Sequence, residues 1–215
     1  MKGTTGLVGF LVLILVFSAD NRAGEECTGF GSSGNASADG GTIVAKVRDG
    51  PVGHGKRQCV QLVFTAAGFK YIGNYNYDNY ESTVPSGPFG GINEKGMSIS
   101  GLSRSSTDVS TTGLLEKEIM ARVLESSSDA KSAVYLVKDI VEGQGRRGVI
   151  GGGGLMVGDP NELWMVEMTG HKWAAIGPIM NEVGSMTNFY LMPELKPYEI
   201  RPSGESRQKR IQALI

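Results

Sequence analysis

Over residues 41–104 the apolar positions fall in short runs, each bounded by glycine, asparagine or proline. Such punctuated runs predict strands. They lie at about 41–48, 58–66 ("QCVQLVFTA"), 68–77 ("GFKYIGNYNY") and 96–104 ("GMSISGLSR"), with 85–91 expected as a loop. The period then changes. Leu115, Ile119, Met120, Val123 and Leu124 share one helix face, and Ala130, Ala133, Val134, Val137, Ile140 and Val141 recur at i, i+3, i+4 and i+7 in a second helix. Ser128 or Asp129 can cap that second helix, and Gly143 fits its end. Residues 151–178 return to strands, with turns at Asp159-Pro160-Asn161 and Thr169-Gly170-His171. Residues 205–215 read as an amphipathic helix that stops without a cap, so the chain is expected to be part of a longer protein. Strands, two helices and strands again fit two antiparallel sheets with helices stacked outside, an α+β sandwich of αββα layers. Neither an internal repeat nor a domain boundary is visible after the leader.

The leader is the strongest targeting signal. Lys2 precedes the apolar run "LVGFLVLILVF" at 7–17, too short for a comfortable membrane span of roughly 20 residues. Residues 1–18 are expected to be a secretory signal peptide cleaved after Ser18, residues 19–26 a short propeptide, and 27–215 the working domain. The alternative is an uncleaved N-terminal anchor, the one membrane contact the sequence suggests. In an exported chain, Cys27 and Cys59 could also pair as a disulfide.

Composition narrows the partners. The chain has 215 residues, 40% hydrophobic, with 21 basic and 22 acidic side chains. Without a basic field there is no argument for nucleic acid. No His/Cys spacing suits zinc, and the glycines at 151–154 are not followed by Lys-Ser/Thr, so neither a metal nor a phosphate-bearing cofactor is expected. The glycine run is expected to allow close strand approach. His54 and His171 sit in glycine-flanked turns and are expected to be neither catalytic nor ligands.

Cys27 carries the chemistry. Release of the residues before it would place a thiol and a free α-amine on one residue, and an α-amine titrates near neutral pH, so it can accept a proton. A thiol with its own amine as base is a self-contained nucleophile. Attack of that thiol on the Glu26 carbonyl would uncover the amine without another protease.

Five stretches then occur in order: "CTGF" at 27–30, "DGGTIVAKVRD" at 39–49, "GGINEKGMSISGLS" at 90–103, "MTNF" at 186–189 and "SGESRQKR" at 203–210. Together they resemble the N-terminal-nucleophile hydrolases of the penicillin acyltransferase, choloylglycine hydrolase and penicillin V acylase group. The nearest resemblance is to the penicillin acyltransferase and carcinine hydrolase branch. It implies the αββα fold, no cofactor, and hydrolysis or transfer of the acyl group of a small linear N-acyl amide through a thioester. Whether the protein forms a homo-oligomer stays open.

The resemblance also implies roles. Cys27 would be nucleophile and its amine the base, and Asp49 would hold that amine. Lys46 matches a cation near the sulfur, where positive charge favours the thiolate. Asn188 and the backbone N–H of Ser103 would stabilise the oxyanion, Arg207 would brace the site, and the Asn93–Lys95 turn would shape a loop. Val47 departs from the usual Asn, and Arg48 is a rival for the cation's role. Lys46 and Arg48 share a strand face, so a bend at Asp49-Gly50 is needed to bring Asp49 inward. Two alternatives remain: a related dipeptidase, and a non-enzymatic binding domain held by a Cys27–Cys59 disulfide.

Overall fold

The computed structural model describes residues 26–49, 58–77, 85–148, 151–200 and 202–214. The expected signal peptide, most of the propeptide, Gly50 and His54 lie outside the described residues. In chain order the first strands are β1 (Glu26–Ser32), β2 (Ile43–Asp49), β3 (Gln58–Val63), β4 (Tyr71–Tyr77), β5 (Pro85–Asn93) and β6 (Ser98–Ser105). The short β7 (Leu114–Leu115), the helices α1 (Glu116–Ser126) and α2 (Ala130–Gly143) and the short β8 (Arg146–Arg147) follow. The chain continues with β9 (Gly151–Gly158), β10 (Leu163–Met168), β11 (Trp173–Ile179), β12 (Val183–Met186) and α3 (Glu205–Gln212).

Two antiparallel sheets result. The large one runs β11-β10-β9-β6-β5-β4-β3, and the small one runs β12-β1-β2. Period-two alternation sorts their side chains. Leu155 and Val157 of β9 join the core under the helices with Met120, Val123, Val137 and Val141. Met156, between them, points the other way and packs with Leu102, Leu163, Met186 and Cys27 between the sheets. On the far side of the small sheet, α3 docks on β12 through buried Gln208, whose Nε2 donates to the Ser185 carbonyl and hydroxyl at 2.9 and 2.8 Å. The layers are therefore helices, large sheet, small sheet and helix, the αββα sandwich expected from the sequence.

One local expectation is corrected. Residues 85–91 belong to strand β5, not to a loop. Their glycines give close packing rather than turns: a Cβ on Gly91 would meet the Ile72 carbonyl at 2.6 Å and Leu124 of α1 at 2.9 Å. Helix α2 ends at Gly143 as expected, and a left-handed residue, Gly145 at φ +86°, follows it. Its N-terminal cap is Asp129, whose Oδ1 accepts from the Ser132 N–H at 2.7 Å, while Ser128 donates to the Asp129 carboxylate. Among the described residues no helix is long and apolar enough to cross a membrane.

Candidate active site

Strand β1 sits in the middle of the small sheet, and its sequence alternates Cys27, Gly29 and Gly31 on the face toward the large sheet. A side chain would be tight at 29 and would strike backbone at 31. A Cβ at 29 would reach Leu102 at 3.0 Å, and one at 31 would reach the Ile43 carbonyl at 2.7 Å. These glycines let the small sheet approach closely and bury Cys27, which is 1% exposed.

The Thr-Asn turn after β12 brings Asn188 to Cys27. The Cys27 N–H donates to Asn188 Oδ1 at 2.6 Å, and Arg207 Nη2 donates to the same oxygen at 3.1 Å. Asn188 Nδ2 donates to the Ser103 carbonyl at 2.7 Å. Two donors on one side and an acceptor on the other fix which way the amide points. One side chain thus ties β1, β6 and α3 together at the nucleophile candidate. Arg207 comes from α3, where Gly204, at φ +87°, leads into the helix and its carbonyl accepts from the Thr187 hydroxyl at 3.2 Å.

Strand β2 runs beside β1, with Arg48 opposite Cys27, Lys46 opposite Gly29 and Asp49 opposite Glu26. Lys46 and Arg48 both face a cleft of about 750 Å³ between β2 and the inner face of β3–β6. Phe89, Val60, Ile72 and Ile92 add apolar walls, and no Asp or Glu is among its described lining residues. The Arg48 guanidinium lies 5.4 Å from the centre of the Phe89 ring. The Asp49 side chain lies outside the described residues, and with it the bend that its role requires.

The structure thus brings Cys27, Asn188, Arg207 and Ser103 together. Ser103 contributes its carbonyl to Asn188, whereas its N–H was the group expected to serve. Of the two cations, Arg48 is the one in register with Cys27. The disulfide alternative is not what forms: Cys27 and Cys59 are not bonded to each other. Cys27 lies between the sheets, whereas Cys59 packs toward the helix-side core, so the large sheet separates them. Asn93 shapes its loop as expected. It is buried, its Nδ2 donates to the Leu124 and Ser127 carbonyls, and its Oδ1 accepts from the Lys95 and Met97 N–H groups. His171 sits on the surface, with Nδ1 2.8 Å from Asp108.

Sequence reasoning missed Arg104, Glu167 and Gln208. Arg104 and Glu167 lie behind the Asn188 turn as an ion pair of 3.0 Å, each side chain 0% exposed. Charged residues inside strands at 104 and 167 were the available signal, together with the glycines at 152 and 154, which were read only as allowing close strand approach.

The model of Peptidase family C69 matches residues 99–179. A probable dipeptidase of Salmonella dublin is 25% identical over 179 residues, which cover 70% of this chain and 40% of that protein. The chain therefore spans 40% of the length of the curated relative it matches. Among solved structures, a mutant of the conjugated bile acid hydrolase from Clostridium perfringens aligns over 88% of this chain and 57% of its own, with 14% identity and a TM-score of 0.48. Another variant of that enzyme aligns over 88% and 50%, with 13% identity and a TM-score of 0.36. The family match, which covers part of the chain, and the dipeptidase relative are consistent with the resemblance read from the motifs.

Proposed function

We propose that this chain carries the nucleophile-bearing part of an exported, self-processing hydrolase of small linear amides, with Cys27 as nucleophile. The observation that carries the reading is the Asn188 side chain, which holds the Cys27 N–H at 2.6 Å and is itself held by Arg207. Freed of the preceding residues, that nitrogen would be an amine beside a carbonyl acceptor, well placed to take the thiol proton. The sulfur would add to the substrate carbonyl, and collapse of the adduct would expel the amine product with that proton, leaving a thioester. Water would then add to the thioester and return the proton to sulfur, releasing the acid. Asn188 Nδ2 carries two hydrogens, one of them engaged by Ser103, and the other would serve the oxyanion. Lys46 and Arg48 would favour the thiolate and meet the polar part of the substrate, while the Phe89 side of the cleft would take its apolar part.

A dipeptide is the second reading of the substrate, and the match to Peptidase family C69 favours testing it first. Release of amino acids from dipeptides without turnover of N-acyl amides would select it. Transfer to an amine other than water would appear as a new amide when a competing amine is supplied. The export claim rests on Lys2 and the apolar run at 7–17. The deciding experiment is intact mass and N-terminal sequencing of protein made with its leader, beside Cys27→Ala. Self-processing predicts a wild-type chain that starts at Cys27 and a variant that keeps earlier residues. If both start at the same upstream residue, Cys27 does not uncover its own amine and the mechanism fails.

A further inference from the structure

The Asn188 turn is shaped by two charges that no role assigned above uses. Arg104 follows Ser103 in β6, and Glu167 lies on β10. Both point into the layer between the sheets that also holds Cys27, and both are fully buried. Arg104 Nε donates to the Phe189 carbonyl at 2.9 Å, and Nη1 donates to the Gly153 carbonyl at 3.3 Å. The Glu167 carboxylate accepts from the Leu191 and Met192 N–H groups at 2.9 Å each. Between these anchors Tyr190 covers the guanidinium, its ring centre 5.6 Å away, and its hydroxyl donates to the Met168 carbonyl at 3.0 Å.

The glycine run makes the room. A Cβ on Gly154 would strike the Arg104 guanidinium, and one on Gly152 would strike the Tyr190 hydroxyl. These glycines clear a cradle for a charge in the middle of a sheet. A buried pair of this kind gains little stability over well-packed apolar side chains, so stability alone does not account for it. Its bonds go to the backbone of residues 189, 191 and 192, directly after the residue that touches Cys27.

We propose that Arg104 and Glu167 are positioning residues: the pair clamps the backbone of residues 189–192 and thereby sets the Asn188 amide against Cys27. The proposal rests on the reading of Cys27 and Asn188 as the active site, and it adds the device that places Asn188.

The two cysteines supply the test. Cys27 reports on the site, and Cys59, on the opposite face of the large sheet, reports on the scaffold. Alkylation of each thiol by iodoacetamide is followed by peptide mass spectrometry in wild type, in Arg104→Lys and in the double variant Arg104→Met/Glu167→Gln. The double variant leaves no unpaired buried charge, and the Gln carbonyl still accepts one N–H. In variants that melt cooperatively, the Cys27 rate is expected to change by about tenfold, the scale of one charge-assisted hydrogen bond, with Cys59 unchanged. Arg104→Lys is expected to show the same change although the charge is kept, because an ammonium cannot bond both Phe189 and Glu167 in the guanidinium's geometry. Unchanged rates at both thiols in a folded variant would overturn the proposal, and so would a parallel rise at both, which marks general loosening. Hydrogen exchange of the wild-type chain needs no variant: the Leu191 and Met192 amides should exchange as slowly as the β10 core, and free-loop rates would also overturn it. Turnover of alanyl-alanine and of phenylacetyl-4-nitroanilide separates the two readings. If wild type cleaves neither, the proposed function is in difficulty while the thiol rates still judge the clamp. If it cleaves one, the folded variants should lose kcat with KM unchanged.

Discussion

Replacing Asn188 probes the site through stability alone, before any substrate is known. The side chain is 7% exposed and makes hydrogen bonds to Cys27, Arg207 and Ser103. Asn188→Ala deletes all three. At a net ~1 kcal/mol for each bond, with a further cost for any buried group left unsatisfied, the loss should be about 3–5 kcal/mol. Asn188→Asp separates the two sides of the amide. It keeps an acceptor for the Cys27 N–H and strengthens the bond to Arg207, but sets a carboxylate oxygen against the Ser103 carbonyl, where the Nδ2 donor stood at 2.7 Å. The expected cost is about 2–3 kcal/mol at neutral pH, partly recovered in acid, where protonation restores a donor. Urea unfolding monitored by tryptophan fluorescence gives both numbers from the midpoint shift at constant slope. Within a domain stability of roughly 5–15 kcal/mol both variants should remain measurable. A shift below about 0.5 kcal/mol for Asn188→Ala, the range of an ordinary surface change, would refute the bridge and with it the assembly of the site.

Asn93→Ala removes four bonds that pin the end of α1 to the β5–β6 turn, and should cost about 3 kcal/mol, read as a fall in Tm of roughly 6–12 °C. Asp129→Ala removes the cap of α2 and should cost ~1 kcal/mol in urea unfolding at pH 7. The Ser132 N–H, then Ser128, hold the Asp129 carboxyl below the usual range. Its stabilisation is therefore complete above the unfolded pKa of ~3.9 and lost as pH falls through the lower folded value, so wild type and variant should converge in acid below that folded value. At Asp108 burial pushes the carboxyl up, but bonds from His171 and Thr169 outweigh it and hold it low; Asp108→Asn should likewise flatten the acid limb of the stability curve. Gly29→Val forces methyls against Leu102 and Met156 and should cost about 1–3 kcal/mol as overpacking between the sheets, measured by thermal melt.

The helices were legible because their cause is local. Period 3.6, a cap at Asp129 and a run of small and branched side chains point to one structure, and α2 forms where they say. The strand at 85–93 was not, because its glycines and prolines are turn signals in isolation. Their use depends on Ile72 and Leu124, which are distant in sequence. The helix end was legible too, since α2 stops at Gly143.

The site divides along a similar line. Cys27, Asn188 and Arg207 were readable because their residue types sit in stretches that resemble a known group, and the resemblance carries long-range information that spacing lacks. Arg104 and Glu167 lay inside strands with no such label. A charge in a strand usually faces water, and only the cross-strand register of β6, β9 and β10 shows that these two face each other across glycines. The sequence did hold half of the signal, since a run of four glycines at the centre of a sheet is costly: glycine in a strand loses about 0.5–1 kcal/mol to backbone entropy. Such a cost is tolerated where something bulky must fit. Here the glycines at 152 and 154 accommodate a tyrosine hydroxyl and a guanidinium, and the guanidinium in turn holds the backbone beside Asn188. An unexplained run of small residues facing a buried cation is thus a sequence-level marker for a positioned turn. In this chain the carbonyl held by the guanidinium belongs to Phe189, directly after the candidate oxyanion donor Asn188.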